Sequence, residues 1–286
     1  MTKTGAIGAS QAPAESVPHG TVQVEINFYK APVDGAQPFL YSGTPPEGLP
    51  AMNYTEPALP LTLNDIRGRE HEFTLDKDAF QPLQGVLCVP YEAIQSEETI
   101  QRTWYPAVEE FLLNKIKGAH RVIIFDHVVR MESVNTHRKP LHTAHADQTT
   151  QAATDRVRRC IPDPGEAEQA LRGRYRIINV WKPLKGPVQS SPLAFARAGS
   201  VQSTDLVPIK FHLPHRAGEI LGVAFNQSQE WMYWSGMQPD ECLLLKCSDS
   251  DESVASRVPH SAFYDPRTPP NAPGRESIEF RTLVLG

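Results

Sequence analysis

In GTVQVEINFYK, Val22, Val24, Ile26 and Phe28 alternate with polar residues, the period-two pattern of a half-buried strand. LTLNDIRGREHEFTLDKDAF predicts a strand, a turn and a second strand. SEETIQRTWYPAVEEFLLNKIKG carries a capping serine at Ser96, acidic residues in its first turn and a stop at Gly118. It predicts a helix that Pro106 must kink or divide, because proline has no N–H to donate. AHRVIIFDHVVRME is rich in β-branched residues and predicts a strand, AEQALRGRY a helical stretch, and YRIINVW a strand stopped by Pro183. Short strands follow in TDLVPIKFHL, EILGVAF, QEWMYWSG, ECLLLKCSDS, SRVPHSAFYDP and RESIEFRTLVLG.

Helix and strand mix in the first half, and short strands with turn signals fill the second. The expected class is β-rich α+β, a jelly roll with flanking helices. No G-x-G-x-x-G follows a strand and no phosphate-binding P-loop occurs, so a nucleotide-binding sheet is disfavoured. The 26 prolines favour short strands and irregular loops. The first 20 residues, rich in alanine, glycine and serine, predict a flexible N-terminal arm, and residues 21–286 a single domain.

Composition narrows the partners. The net charge of −5 and the lack of any lysine or arginine run exclude a general nucleic-acid binder. No apolar run approaches the ~18 residues of a membrane span. Cys88, Cys160, Cys242 and Cys247 are scattered without a CxxC pair, which predicts free thiols in a reducing, cytoplasmic setting. The chain leaves a homodimer open.

The candidate chemistry lies in LHTAHADQTT. His145 and Asp147 are two residues apart, so along a strand both side chains share a face and can point at one ion. His142 falls on the other face and is expected to be a loop or supporting residue. A third ligand must come from elsewhere, and His260, near the start of the penultimate strand, is the candidate. Two histidines and a carboxylate hold non-haem Fe(II) on one side and leave the other positions open. 2-Oxoglutarate would fill two of them and needs a buried cation for its far carboxylate. The last strand puts Arg275, Ser277, Glu279 and Arg281 on one face. Arg275 with Ser277 makes an R-x-S pair suited to a carboxylate, Arg281 competes for the role, and Glu279 is an internal partner for either arginine.

The blocks HADQT, IINVWKPLKGPVQSSPLAFA, EWMYWSGMQPDECLLLKCSDS, VPHSAFYDP and GRESIEFRTLV resemble the AsaB-type hydroxylase/desaturase family of fungal secondary metabolism, which is similar to the CmcJ component of bacterial cephem methoxylation. The resemblance implies a double-stranded β-helix, Fe(II) with 2-oxoglutarate and O2 as co-substrates, and oxidative tailoring of a small molecule by hydroxylation, desaturation or cyclisation. By position it implies His145, Asp147 and His260 as iron ligands, Asn179 and Trp181 near the cosubstrate or substrate, and Tyr233 as a cavity residue. The same three ligands also suit Zn2+ in a hydrolase or lyase, and a non-catalytic binding protein is the third reading. The loops around APVDGAQPFLYSGTPPEGLPAMNY and NTHRKPL are the expected mouth of the pocket.

Overall fold

The expected alternation is realised in two sheets. The computed structural model describes residues 17–132 and 138–286, so most of the expected arm, and His137 in NTHRKPL, lie outside it. In chain order the strands are β1 (Val22–Asn27), β2 (Phe39–Tyr41), β3 (Ala58–Asp65), β4 (Phe80–Leu83), β5 (Arg121–Met131), β6 (His145–Ala146) and β7 (Tyr175–Pro183). They continue as β8 (Leu193–Ala196), β9 (Leu206–Leu213), β10 (Arg216–Val223), β11 (Trp231–Tyr233), β12 (Cys242–Asp249), β13 (His260–Ala262) and β14 (Glu276–Leu285). The helices are α1 (Leu75–Asp78), α2 (Glu97–Thr99), α3 (Tyr105–Lys115), α4 (Thr150–Cys160) and α5 (Pro164–Arg172).

One sheet has the order β1-β3-β11-β8-β13-β6-β10-β9-β2 and the other β4-β12-β7-β14-β5. From β5 to β8, and again from β11 to β14, consecutive strands alternate between the sheets. That winding is the double-stranded β-helix, and it brings residues distant in sequence onto adjacent strands. The sheets face each other across Trp181, Leu243 and Leu245 from one and Phe195 and Met232 from the other.

The outer face of the smaller sheet is covered by helix. Ile178, Val180, Ile278 and Phe280 bury against Trp104, Val108 and Leu112. Ser96 caps the entry, its hydroxyl accepting from the Thr99 N–H at 3.1 Å. The predicted helix is divided as Pro106 requires: Ile100–Trp104 widens into a π-turn, in which the Tyr105 N–H reaches the Ile100 carbonyl, and α3 starts afresh with the proline in its first turn. Phe280 is fully buried in this layer, its ring 5.4 Å from that of Trp104. Phe280→Ala is expected to destabilise the fold by about 3–5 kcal/mol, seen as a lower urea midpoint at unchanged m-value.

One expectation needs correction, and two elements come in addition to those predicted. The second strand expected before Phe80 is absent from most of its range, which instead forms a short 3-10 turn and α1, with β4 beginning only at Phe80. Thr74 and Leu75 lead into that helix because the buried Asp78 carboxylate accepts from the Thr74 N–H at 3.0 Å. β8 was hidden within a loop-like stretch. α4 was not foreseen: Thr149 caps it by accepting from the Ala152 N–H at 3.0 Å. It buries only Ala152, Ala153 and Val157 and packs with α5 against Ile177, Cys247 and Leu283. Among the described residues no helix is long and apolar enough to cross a membrane, and Cys88, Cys160, Cys242 and Cys247 are free thiols.

Candidate metal centre

β13 lies antiparallel to β6 with His260 directly opposite His145. Directly opposed residues project to the same side of a sheet, so the two imidazoles meet, ring centres 4.4 Å apart, inside the barrel. Asp147 follows His145 by two positions and returns to that side, its Oδ1 3.6 Å from His145 Nε2. One ligand atom from each of His145, Asp147 and His260 lies within 4.8 Å of the others.

The backbone fixes which nitrogens are offered. His145 Nδ1 donates to the Thr143 carbonyl at 2.8 Å and His260 Nδ1 to the Val258 carbonyl at 3.2 Å. A carbonyl can only accept, so in both rings Nδ1 carries a proton and Nε2 is the nitrogen turned toward a ligand bond. Burial pushes the His145 pKa down to about 4, helped by His260. Asp147 is held well below the usual carboxylate range: burial opposes this, but the charge of Arg281, the His260 and His145 rings beside it and a hydrogen bond from Asn179 outweigh it. The set therefore offers two imidazole nitrogens and a carboxylate anion, the donor chemistry of a facial iron triad. His260 is 4% exposed, while the His145 and Asp147 side chains keep 19% and 14% of their surface open.

Outer partners hold the carboxylate. Asn179 on β7 donates through Nδ2 to Asp147 Oδ2 at 2.6 Å, and Cys247 on β12 brings its Sγ to 3.5 Å of the same oxygen. Burial, with Asp147 beside it, pushes the Cys247 thiol up, so it stays protonated and serves as a donor. Cys247 was not foreseen as a site residue, because nothing in ECLLLKCSDS separates it from an ordinary buried cysteine. Asn179→Ala should weaken metal binding about 10- to 100-fold with little change in melting temperature, as read by iron titration beside a thermal scan.

The predicted arginines divide. Arg281 donates from Nε to Glu279 Oε1 at 2.9 Å and from a terminal nitrogen to Asp126 Oδ2 at 3.0 Å, so its charge is matched within the protein. Glu279 is thus the internal partner of Arg281. Arg275 is 3% exposed and, among the described residues, has no ion-pair partner. Its guanidinium donates to the Ser191 carbonyl and lies 5.5 Å from the centre of the Trp181 ring, while its buried Nε has no hydrogen-bond partner. Burial, with Arg130 nearby, lowers its pKa to about 10. Ser277, buried, is on the same face two residues along.

Trp181 faces the barrel interior, but Tyr233 is not brought to the cluster. Met232 and Trp234 take the inward positions of β11. Tyr233 points the other way, against Phe263, donating to the Gly20 carbonyl at 2.6 Å and accepting from Arg267 at 2.8 Å. His142 is stacked on Tyr264, ring centres 4.0 Å apart, and is not a ligand. His127 lies on the helix-covered face, bonded to the Tyr105 hydroxyl at 3.0 Å.

The triad opens into a cleft of about 870 Å3, walled by β5, α4, β9 and β10 and edged by Gln37, Leu40, Arg138 and Leu141 from the loops expected at its mouth.

Residues 26–285 match a family model described as an oxidoreductase/YMDC permease-like domain. The chain is 37% identical to the hydroxylase/desaturase poxK of Penicillium oxalicum, over 94% of this chain and 92% of that protein. It is 27% identical to the Fe(II)/2-oxoglutarate-dependent dioxygenase nvfI of Aspergillus novofumigatus, over 92% of this chain and 96% of that one. Among solved structures, the iron and alpha-ketoglutarate-dependent endoperoxidase NvfI superposes with a TM-score of 0.84 at 26% identity, covering 93% of this chain and 98% of the other.

Proposed function

The chain belongs to the hydroxylase/desaturase family of oxidoreductases, and from that premise we propose that His145, Asp147 and His260 are the groups with which it holds Fe(II). It is a non-haem Fe(II)/2-oxoglutarate-dependent oxygenase that hydroxylates, desaturates or oxidatively cyclises a small-molecule natural-product intermediate. The observation that carries the ligand assignment is the pairing of His260 with His145 across the β6–β13 ladder, both Nε2 atoms free and Asp147 beside them. Bound iron, with 2-oxoglutarate and O2, supplies the oxidising chemistry that takes hydrogen from a C–H bond, leaving succinate and CO2 as co-products.

The chain's own work is placement. The Thr143 and Val258 carbonyls hold the two imidazoles in the ligating tautomer, and Asn179 and Cys247 orient the carboxylate. Arg275 and Ser277 take the far carboxylate of 2-oxoglutarate, a reading supported by the buried, unmatched charge of that arginine and its open Nε. Trp181, packed beside Arg275, screens that pair from water. Arg281 acts on the carboxylate ligand, keeping Asp147 ionised. Residues 21–286 act as one oxygenase domain, in a cytoplasmic setting that keeps the thiols reduced.

The test is 2-oxoglutarate-dependent succinate release by the purified protein with Fe(II) and ascorbate. Release is expected with Fe(II) and not with Zn2+. If a zinc-loaded sample turns over substrate while the iron-loaded one releases no succinate, the reading fails.

A further inference from the structure

In a chain with more acid than base, the cleft above the triad is the reverse: its lining holds more arginine and lysine than aspartate and glutamate. Of the acids there, two are committed and two bond to neutral donors. Asp126 pairs with Arg281, Asp147 belongs to the triad, Glu219 accepts from the Thr149 hydroxyl at 2.8 Å, and Asp155 accepts from Gln151 at 2.9 Å. Among the described residues four of the cations make no ion pair, although Lys210 has Glu219 directly across the β9–β10 ladder. They are Arg156 and Arg159 on α4, Lys210 on β9 and Arg216 on β10, which line the cleft from opposite walls. Arg156 is also partly desolvated. Its guanidinium lies 4.1 Å from the centre of the Phe125 ring, and its buried Nε donates to nothing. Burial lowers its pKa, and Arg159 and Arg216 lower it further by repulsion.

Clustered cations in excess of the acids around them repel one another, a cost that a bound anion relieves, and a concave setting strengthens the attraction. Between them the cleft is apolar, with Phe125, Val128, Phe211 and Ile220 on its walls. Its volume of about 870 Å3 is far more than a five-carbon diacid fills. 2-Oxoglutarate, in the reading above, has its own cation in Arg275.

We infer that the cleft binds its substrate as an amphipathic carboxylic acid, its apolar body over the triad and its carboxylate held between α4 and the β9–β10 hairpin. This rests on the oxygenase reading for the identity of the reaction but not for the binding itself. Binding of 2-naphthoate and of its neutral counterpart 2-naphthamide is measured anaerobically on the protein loaded with Fe(II) and saturating 2-oxoglutarate. The naphthoate should bind and the amide should not. Arg159→Glu and Arg216→Glu, both at exposed positions, should each raise the naphthoate Kd by about fivefold or more. Arg158→Glu changes the charge equally but sits outside the cleft, paired with Glu168, and should leave the Kd unchanged. The inference is overturned if acid and amide bind alike, if neither binds saturably, or if Arg158→Glu weakens binding as much as its neighbour. The charge-transfer band of iron-bound 2-oxoglutarate, recorded in the same samples, reads the oxygenase assignment separately. Its absence from the wild type would sink that assignment and leave the naphthoate comparison standing.

Discussion

Asp147→Ala is expected to lower succinate release to below about a thousandth of wild type, a loss of roughly 4 kcal/mol or more of barrier lowering, and to strip the protein of iron. The carboxylate is the anionic member of the triad, and the two acids around Arg281, Glu279 and Asp126, are already engaged with that arginine. The barrel should survive. Asp147 follows the two-residue strand β6, with 14% of its side chain exposed, and what it leaves behind is the Asn179 amide and the Cys247 thiol, neither of which is charged. Metal analysis, succinate assay and far-UV circular dichroism on one preparation check all three parts. His145→Ala should behave alike. Full turnover by either variant means that the iron ligands are misassigned.

Arg275→Gln is expected to raise the 2-oxoglutarate concentration for half-maximal turnover by about 30-fold to 1,000-fold, the equivalent of about 2–4 kcal/mol. The charge it removes is buried, and a carboxylate anchored there would lose its bidentate partner. Arg281→Gln supplies the contrast. It leaves Glu279 and Asp126 without their cation and takes a positive charge from beside Asp147, so its effect should fall on stability and on kcat rather than on the KM for 2-oxoglutarate. Steady-state kinetics separate the two. If the KM moves with Arg281 and stays put with Arg275, the anchor has been assigned to the wrong arginine.

The sequence carried more of the metal site than of its surroundings. H-x-D places two ligands on one side of a strand by period alone, and a late histidine becomes a neighbour once the winding of a jelly roll is granted. The choice between Arg275 and Arg281 was not legible, because Arg275, just before β14, and Arg281, within it, fall on the same face by alternation, and what separates them is the acid that β5 brings across. Tyr233 was misplaced for a related reason. WMYW has large aromatic or sulfur-bearing residues on both faces, so alternation says that one set is inside without saying which. α4 went unseen because its buried stripe is two alanines and a valine among charges. A helix that seals a barrel end with small residues leaves little hydrophobic signal, and two of the cleft's cations came with it.

The pairing of β6 with β13 has a consequence for assembly. His145, on β6, and Asp147, just after it, are made more than a hundred residues before His260 on β13, so a nascent chain cannot bring the three groups together until β13 has been made. The ion then clips shut the seam between the two strands. Any metal that favours the closed form stabilises it by mass action, about 2.7 kcal/mol at a hundredfold excess over its Kd, so a cell short of iron would hold this protein in a form that comes apart more readily at that seam.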